Sequence, residues 1–271
     1  MGSKQGRTYS PAWRAGTKLF FPALIKSIMK RDWSGYQHFP RQGGMIVAAN
    51  HLSYADWPAM ALFCYRAGRY PVFWIKSSAF KVKGIGALLR GCGQLPVHRG
   101  EADAALVLKV SEEALAGGDC VIIYPEGTAT RDPQQWPMVA KTGVARLALS
   151  TGVPVVPVAQ WGAQDILPYG TTKPHLVPRK TVHMLAGPPV DLHEFEGKPL
   201  TRDVLRGATD AIMADITALL AELRGEQPPA APYDPAAARR AARARSAADG
   251  QEPASQTKTS SGTDPREATP T

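Results

Sequence analysis

Residues 45–58 read MIVAANHLSYADWP, and this stretch decides the fold class. The apolar run 45–49 predicts a strand. Pro58 fits only the first turn of a helix, so a helix is expected to begin at or beside Asp56. A strand that passes through a short polar turn into a helix is typical of an α/β sheet covered by helices.

The same alternation continues along the chain. Further strands are predicted at 72–75, 94–97, 120–124, 153–159 and 181–186, and helices at 57–66, 78–89, 102–116, 142–150 and 203–223. Gly117-Gly118 and Gly152 mark the ends of two of these helices. We therefore expect one α/β domain with a mixed, mostly parallel sheet flanked by helices. Pro154 and Pro157 predict that their strand is an edge strand or a wall without polar chemistry.

Composition excludes several classes of protein. The 271 residues are 44 % hydrophobic and 20 % charged, as in ordinary globular proteins. Three cysteines without C-x-x-C spacing exclude a disulfide framework and a cysteine-rich zinc site, and they suit a reducing compartment. Collagen, coiled-coil and polytopic membrane proteins are excluded as well.

Positive charge is concentrated near the N-terminus. The chain has a net charge of +9, and residues 1–41 hold eight basic residues against one acidic residue, Asp32. Large apolar side chains such as Trp13 and Phe20 lie between these charges, but the longest uncharged apolar run, 19–25, is far shorter than the ~20 residues of a membrane span. This predicts an amphipathic helical segment that lies in the interface of an anionic membrane.

Two other interpretations of this segment stay open. Its apolar side can pack on the domain and leave the lysines in water. Nucleic-acid binding is less favoured, because no recognised motif accompanies the charge. Residues 225–271 are rich in Ala, Pro, Ser and Thr, which predicts a disordered tail that allows one short Ala/Arg helix. The predicted organisation is thus 1–41, a globular domain at 42–224, and the tail.

The first candidate for chemistry is the pair His51 and Asp56. Ligands gather at the carboxyl ends of strands in α/β sheets, where His51 is expected. A turn between strand and helix would let Asp56 bond one imidazole nitrogen and leave the other as a base. The alternatives are a helix cap for Asp56 and an ordinary loop histidine for His51.

Two further strand ends carry polar residues. The segment GQLPVHRG at 93–100 brings Arg99, whose planar fork suits a phosphate. The segment YPEGTATR at 124–131 brings Glu126, Gly127 and Thr128, although Glu126 alone is equally consistent with a salt bridge inside a loop. Lys141-Thr142-Gly143 can bind an anion at a helix N-terminus, but an ordinary helix start is favoured.

The series NHLSYAD, GQLPVHR, YPEGTATR and GVPVVPV, in this order over residues 45–190, resembles the PlsC-like family of 1-acylglycerol-3-phosphate acyltransferases. The resemblance implies an acyltransferase domain that moves a fatty acyl group from acyl-CoA or acyl carrier protein to the sn-2 hydroxyl of the lysophospholipid 1-acylglycerol 3-phosphate, giving phosphatidic acid in phospholipid biosynthesis. No cofactor and no metal are expected, and neither a G-x-S-x-G nor an H-E-x-x-H motif is present. The implied location is the cytoplasmic face of the cell membrane, as a peripheral protein.

The resemblance also implies residue roles. His51 would be the general base and Asp56 would orient it, while the acceptor phosphate and head group would contact the remaining candidates: Arg99, Glu126, Gly127, Thr128, Lys76 and Arg131. One position departs from the family, which usually has Arg directly after Glu-Gly-Thr, where this chain has Ala129. Either Arg131 reaches back to the same anion or the head group is contacted differently. Other acceptors (glycerol 3-phosphate, another lysophospholipid or a glycolipid) and a non-catalytic membrane scaffold are the alternatives.

Overall fold

The computed structural model describes residues 9–97, 101–171 and 173–248. In chain order its helices and strands are α1 Pro11–Ile28, β1 Met29–Ser34, β2 Met45–Ala49, α2 Asp56–Arg66, β3 Pro71–Lys76, α3 Ile85–Gly91, β4 Leu95–Val97, α4 Glu101–Ala116, β5 Cys120–Ile123, α5 Gly143–Thr151, β6 Val155–Trp161, α6 Ala163–Ile166, β7 Lys180–Ala186, α7 Arg202–Arg224 and α8 Pro235–Ala248. Short 3₁₀ helices lie at Tyr36–His38, Ser77–Lys81 and His193–Phe195.

The described strands form one seven-stranded sheet in the order β1-β7-β6-β2-β5-β3-β4. All neighbouring pairs are parallel except β6 and β7, which are antiparallel. The predicted mixed, mostly parallel sheet is therefore confirmed. Because β7 and β1 run against the other five strands, their first residues lie at the edge where β2, β5 and β3 end.

Helices cover both faces of this sheet. Alternate residues of β2 point to opposite sides: Met45 and Val47 pack with Met60 and Phe63 of α2, while Ile46 packs with residues of α4, α5 and α7. All five residues of β2 are buried. This double burial explains the uninterrupted apolar sequence from which the strand was predicted.

Strand β1 is absent from the sequence-based prediction. Its residues, MKRDWS, pair in parallel with β7 but occupy an edge of the sheet, and their burial shows only Met29 fully inside. An edge strand can carry charges where a central strand cannot. Part of the basic segment thus belongs to the sheet, while the predicted division at residues 41 and 224 stays a prediction.

Strand β6 was expected at an edge and instead lies between β7 and β2. The Pro157 carbonyl accepts a hydrogen bond from Gly187 N, on the β7 side of the strand. The nitrogen of Pro157 faces the same side, just before the antiparallel ladder with β7 begins at Val158. The missing N–H of this proline therefore falls outside the ladder, and a central position is tolerated.

The helix predicted at 78–89 is also wrong. The structure has a 3₁₀ helix at Ser77–Lys81 and then α3, which begins after Gly84. Gly84 has a φ of +81°, in the left-handed region that interrupts a right-handed helix.

Helix α1 combines packed and exposed apolar residues. Ile25 is buried, and the ring of Phe21 stacks on Trp57 of α2 with centroids 5.6 Å apart. Leu19 and Phe20 are 71 % and 74 % exposed. Among the described helices none is long and apolar enough to cross a membrane. Residues from Asp234 onward form a separate unit, and its described part is α8, the Ala/Arg helix that the tail allows.

Candidate active site

His51 and Asp56 meet as the sequence predicts. His51 Nδ1 lies 2.8 Å from Asp56 Oδ2. His51 follows β2 and Asp56 opens α2, so the pair joins a strand end to a helix start. A carboxylate at Nδ1 fixes the neutral imidazole with its proton on that nitrogen, and Nε2 is left with a lone pair. This is the arrangement of a general base.

One oxygen of Asp56 organises the whole turn. Oδ2 also accepts backbone hydrogen bonds from Leu52 N at 2.7 Å and Ser53 N at 3.0 Å. The Asp56 side chain is fully buried. Three donors replace the water of Oδ2, while Oδ1 is buried without a hydrogen-bond partner among the described residues. The carboxylate and the backbone thus hold the imidazole in one orientation.

Aromatic rings border the imidazole. The ring of Tyr124 stacks on His51 with centroids 4.4 Å apart and planes 20° from parallel. Tyr54 meets the same imidazole edge-on at 6.3 Å. The imidazole keeps 14 % of its surface exposed, so the base stays accessible to a substrate. Within the described residues, no hydrogen bond to Nε2 is present.

The Glu126 carboxylate holds the backbone of His51 through a hydrogen bond. Its Oε1 accepts from His51 N at 3.0 Å and its Oε2 accepts from Met138 N at 2.9 Å. The residue is only 5 % exposed. The sequence-based hypothesis that Glu126 binds substrate stays untested, but these contacts give it a second role, because both oxygens hold backbone groups in position.

The protonation of Glu126 should make stability depend on pH. Burial raises its pKa from 4.5 to about 8, against the opposing effect of the two backbone N–H donors. The folded state therefore binds this proton more tightly than the unfolded state, and the stabilisation it gives is complete below pH 4.5 and lost as the pH rises through about 8. We expect the melting temperature of the wild type to fall over this window relative to Glu126→Gln, which has no such proton.

Comparing the wild type with Glu126→Gln isolates the effect of the Glu126 proton on stability. Glu126→Gln should melt lower than the wild type at low pH, since its amide nitrogen cannot accept from a backbone N–H, at a cost of about 1–3 kcal/mol. Melting curves of both proteins between about pH 5 and pH 9 measure the difference. Parallel pH profiles would contradict a raised pKa at Glu126.

Gly127 and Lys141 lie together on the next part of the loop. Gly127 has a φ of +72°, and a Cβ placed on it would lie 3.1 Å from Lys141 Nζ. Lys141 N donates to Pro125 O at 2.9 Å, which fixes the lysine beside the Glu-Gly-Thr turn. Thr128 follows, partly buried. Sequence reasoning named Lys141 but favoured an ordinary helix start. The structure instead adds this cation to the site.

The two other basic candidates are Lys76, at the end of β3, and Arg99, which follows β4 in the sequence. Lys76 ends β3 and is exposed at the edge that also carries His51. It is paired in register with Val97, the last residue of β4. Arg99, predicted to bind phosphate, lies outside the described residues, two positions after Val97. The register brings the strand that leads to Arg99 beside Lys76.

Arg131 lines a separate cavity. This cavity, of about 520 Å³, is bounded by Leu52, Arg131, Asp132, Gln164, Asp165, Tyr169, His175 and Lys180, among others. Leu52 belongs to the turn between His51 and Asp56, so one wall of the cavity is formed by this turn. Ala129, where the family usually has Arg, is fully buried and leaves no room for a long side chain. The cations nearest these positions are therefore Lys141 on one side and Arg131 on the other.

Comparisons with known proteins agree with this geometry. The crystal structure of the 1-acyl-sn-glycerophosphate acyltransferase PlsC from Thermotoga maritima shares the fold, with a TM-score of 0.61, 22 % identity and coverage of 80 % of this chain and 81 % of that chain. Residues 30–161, just under half of the chain, match the family model Acyltransferase. This part of the chain is therefore similar to that family.

Two curated relatives have different acceptors in their names. The chain is 30 % identical over 157 residues to a chloroplastic 1-acyl-sn-glycerol-3-phosphate acyltransferase of Brassica napus, covering 57 % of this chain and 44 % of that protein. It is 31 % identical over 133 residues to a lyso-ornithine lipid O-acyltransferase of Pseudomonas aeruginosa, covering 48 % and 47 %. The chain thus spans less than half the length of either relative.

Proposed function

We propose that the protein transfers a fatty acyl group from an acyl thioester to the sn-2 hydroxyl of 1-acylglycerol 3-phosphate and forms phosphatidic acid. The observation that carries this proposal is the His51–Asp56 pair, 2.8 Å apart at the carboxyl end of a central strand. An alcohol is a weak nucleophile, and a positioned base typically contributes about 10²–10⁴-fold to its attack.

The proposed reaction follows from the free Nε2 of His51. Nε2 takes the proton from the acceptor hydroxyl as the oxygen attacks the thioester carbonyl. The C–S bond then breaks, and the imidazolium returns the proton to the leaving thiolate. Asp56 stabilises the imidazolium through Nδ1. Because the thioester already has a good leaving group, the reaction needs no enzyme nucleophile, cofactor or metal.

The remaining candidates are assigned to the acceptor. Arg99 and Lys76 would bind its phosphate, and Gly127 and Thr128 would let the head group approach the backbone of the loop. The thioester is acyl-CoA or acyl carrier protein. A lipid acceptor and the exposed apolar residues of α1 support a peripheral position on the cytoplasmic face of the cell membrane.

Lys141 supplies the cation that Ala129 does not. Lys141→Gln should raise the acceptor KM about tenfold or more and leave kcat nearly unchanged, because a hydrogen bond to a charged group contributes about 1.5–3 kcal/mol. Initial rates against acceptor concentration measure this. Arg131→Gln is the competing variant and Lys198→Gln, remote and exposed, is the charge control. A KM that rises in Arg131→Gln and not in Lys141→Gln would assign the contact to Arg131.

A second acceptor class is favoured by one observation. The cavity beside Leu52 carries both signs of charge, since its lining includes Arg131 and Lys180 as well as Asp132 and Asp165. A head group with an ammonium and a carboxylate matches such a lining better than a phosphate monoester does. The similarity to a lyso-ornithine lipid O-acyltransferase points to the same class of acceptor.

The deciding experiment measures CoA release from an acyl-CoA with a thiol reagent. Lysophosphatidic acid, lyso-ornithine lipid and no acceptor form the three arms, each with wild type and His51→Ala. Release that depends on lysophosphatidic acid and vanishes in the variant supports the proposal. Release only with lyso-ornithine lipid would mean that the acceptor is a lipid of the second class. No release from the folded protein with acyl-CoA or acyl carrier protein donors would favour the scaffold.

A further inference from the structure

A second, strongly basic cavity lies away from the catalytic turn. It measures about 270 Å³ and follows the edge strand β1. Five of its lining residues are cations, contributed by α1, β1, α2 and the segment before β7: Lys26, Lys30, Arg31, Arg66 and Arg179. Trp33, Tyr36 and Met29 complete the lining. We call this cavity the β1 groove.

The cations of the β1 groove are held in place without neutralisation. Arg179 Nη1 donates to Lys26 O at 3.2 Å, and Arg66 Nε donates to the Tyr36 hydroxyl at 3.2 Å. The Arg31 guanidinium lies over the Trp33 ring at 5.7 Å. Among the described residues, no Asp or Glu forms an ion pair with any of the five, and Asp32 is paired with His183 instead. Each guanidinium keeps N–H groups for another partner.

Protection of an edge strand does not explain this arrangement. Charges on β1 alone would discourage pairing with another sheet, and Lys30 and Arg31 suffice for that purpose. The groove also collects Lys26, Arg66 and Arg179 from three other parts of the chain. Like charges repel, so their gathering around one cavity indicates an anionic occupant.

The surroundings of the groove favour a lipid over a soluble anion. Leu19 precedes Lys26 by two turns of α1, on the same stripe of the helix and about 10 Å away. Leu19 is 71 % exposed. An apolar chain can therefore extend along α1 from a phosphate held at Lys26 and Lys30.

The groove is also oriented toward the catalytic edge. Lys30 and Arg179 lie where β1 and β7 begin, which is the edge at which β2 ends. Three strand spacings, about 14 Å, separate β1 from β2. A lipid bound in the groove would hold this edge of the sheet, and with it His51, at the membrane surface.

From these contacts we infer that the β1 groove is a binding site for the anionic phosphate head group of a membrane lipid that is not the acceptor. The role of this lipid site, to hold the enzyme at the membrane that contains its acceptor, rests on the proposed function. Binding itself is measured without turnover.

The test is cosedimentation of the full chain with phosphatidylcholine vesicles, with and without phosphatidylglycerol, at fixed ionic strength. Lys30→Gln/Arg31→Gln removes two cations of the groove, and Lys198→Gln/Arg202→Gln removes two exposed cations elsewhere. Each cation near an anionic bilayer contributes about fivefold to partitioning, so the groove variant should bind about 25-fold more weakly. The control variant should bind like wild type, and Arg66→Gln/Arg179→Gln should reproduce the loss.

Each other outcome overturns the inference. Equal losses in the groove and control variants would mean diffuse attraction, and no loss in the groove variants, or no vesicle binding by wild type, would mean that the groove does not bind lipid. Inorganic phosphate that binds in the groove while vesicles do not would identify a soluble anion instead. Turnover with detergent-dispersed acceptor should stay at wild-type level in both groove variants. If the wild type and the control variant bind vesicles, the groove variants bind weakly and none of the proteins turns over substrate, the result counts against the proposed reaction and leaves the lipid site supported.

Discussion

His51→Ala should reduce turnover by about 10²–10⁴-fold and leave the protein folded. The variant removes Nε2, the proposed acceptor of the hydroxyl proton, and a general base contributes on this order. The fold should survive because Asp56 Oδ2 keeps its bonds from Leu52 N and Ser53 N. Loss of the stacking on Tyr124 should cost about 0.5–1.5 kcal/mol. Acceptor-dependent CoA release and a melting curve measure the two effects.

The chain provides a matched control for this variant. His193 and Asp191 form a similar pair, with Nδ1 and Oδ1 2.7 Å apart, but their side chains are 81 % and 75 % exposed. His193→Ala removes the same kind of pair from the surface and should keep full turnover. An active His51→Ala protein would remove His51 from the role of base.

Asp56→Asn should reduce turnover by about 10²–10³-fold through a different cause. The asparagine oxygen would take the place of Oδ2, where it can still accept from Leu52 N, Ser53 N and His51 Nδ1. It carries no negative charge, so it would no longer stabilise the imidazolium that forms when Nε2 takes the proton of the acceptor hydroxyl. Measured side by side, kcat of the variant should fall by this large factor while its melting temperature changes little.

Asp191→Asn is the control for the second prediction, because it makes the same substitution in the exposed pair. It should leave kcat unchanged. If Asp56→Asn loses activity only in proportion to a lower melting temperature, Asp56 is a structural cap and does not orient the base. An unaltered kcat would have the same meaning.

The sequence predicts the catalytic pair better than the acceptor site, and distance along the chain explains the difference. His51 and Asp56 are five residues apart, so a strand end and a helix start are enough to bring them together. Lys141 is fourteen positions after Gly127 in the sequence. It lies beside Gly127 because its backbone N–H donates to the Pro125 carbonyl, and no local sequence pattern predicts this contact. Ala129 was the sequence feature that could have pointed to Lys141, because the family usually has a cation at this position and its absence here suggests that another residue supplies the charge.

The fold shows the same dependence on context. The fully buried strand Met45–Ala49 is predicted to the residue, because burial on both faces requires an unbroken apolar run. The charges of β1 conceal it in the sequence, since this edge strand is anchored by two apolar residues among polar ones: Met29, which is buried, and Trp33, which is partly buried and packs on the core. The position of β6 depends on which side of the strand the Pro157 nitrogen faces. That geometry exists only once β7 is in place.

The compactness of the catalytic turn has an evolutionary consequence. The proposed base, its orienting carboxylate and the backbone donors to that carboxylate all come from residues 51–56, so the proposed reactive unit is one short stretch of chain. The cations proposed for head-group recognition come from separate loops after other strands. Exchange of those loops would then change which head group is bound and leave the proposed base in place.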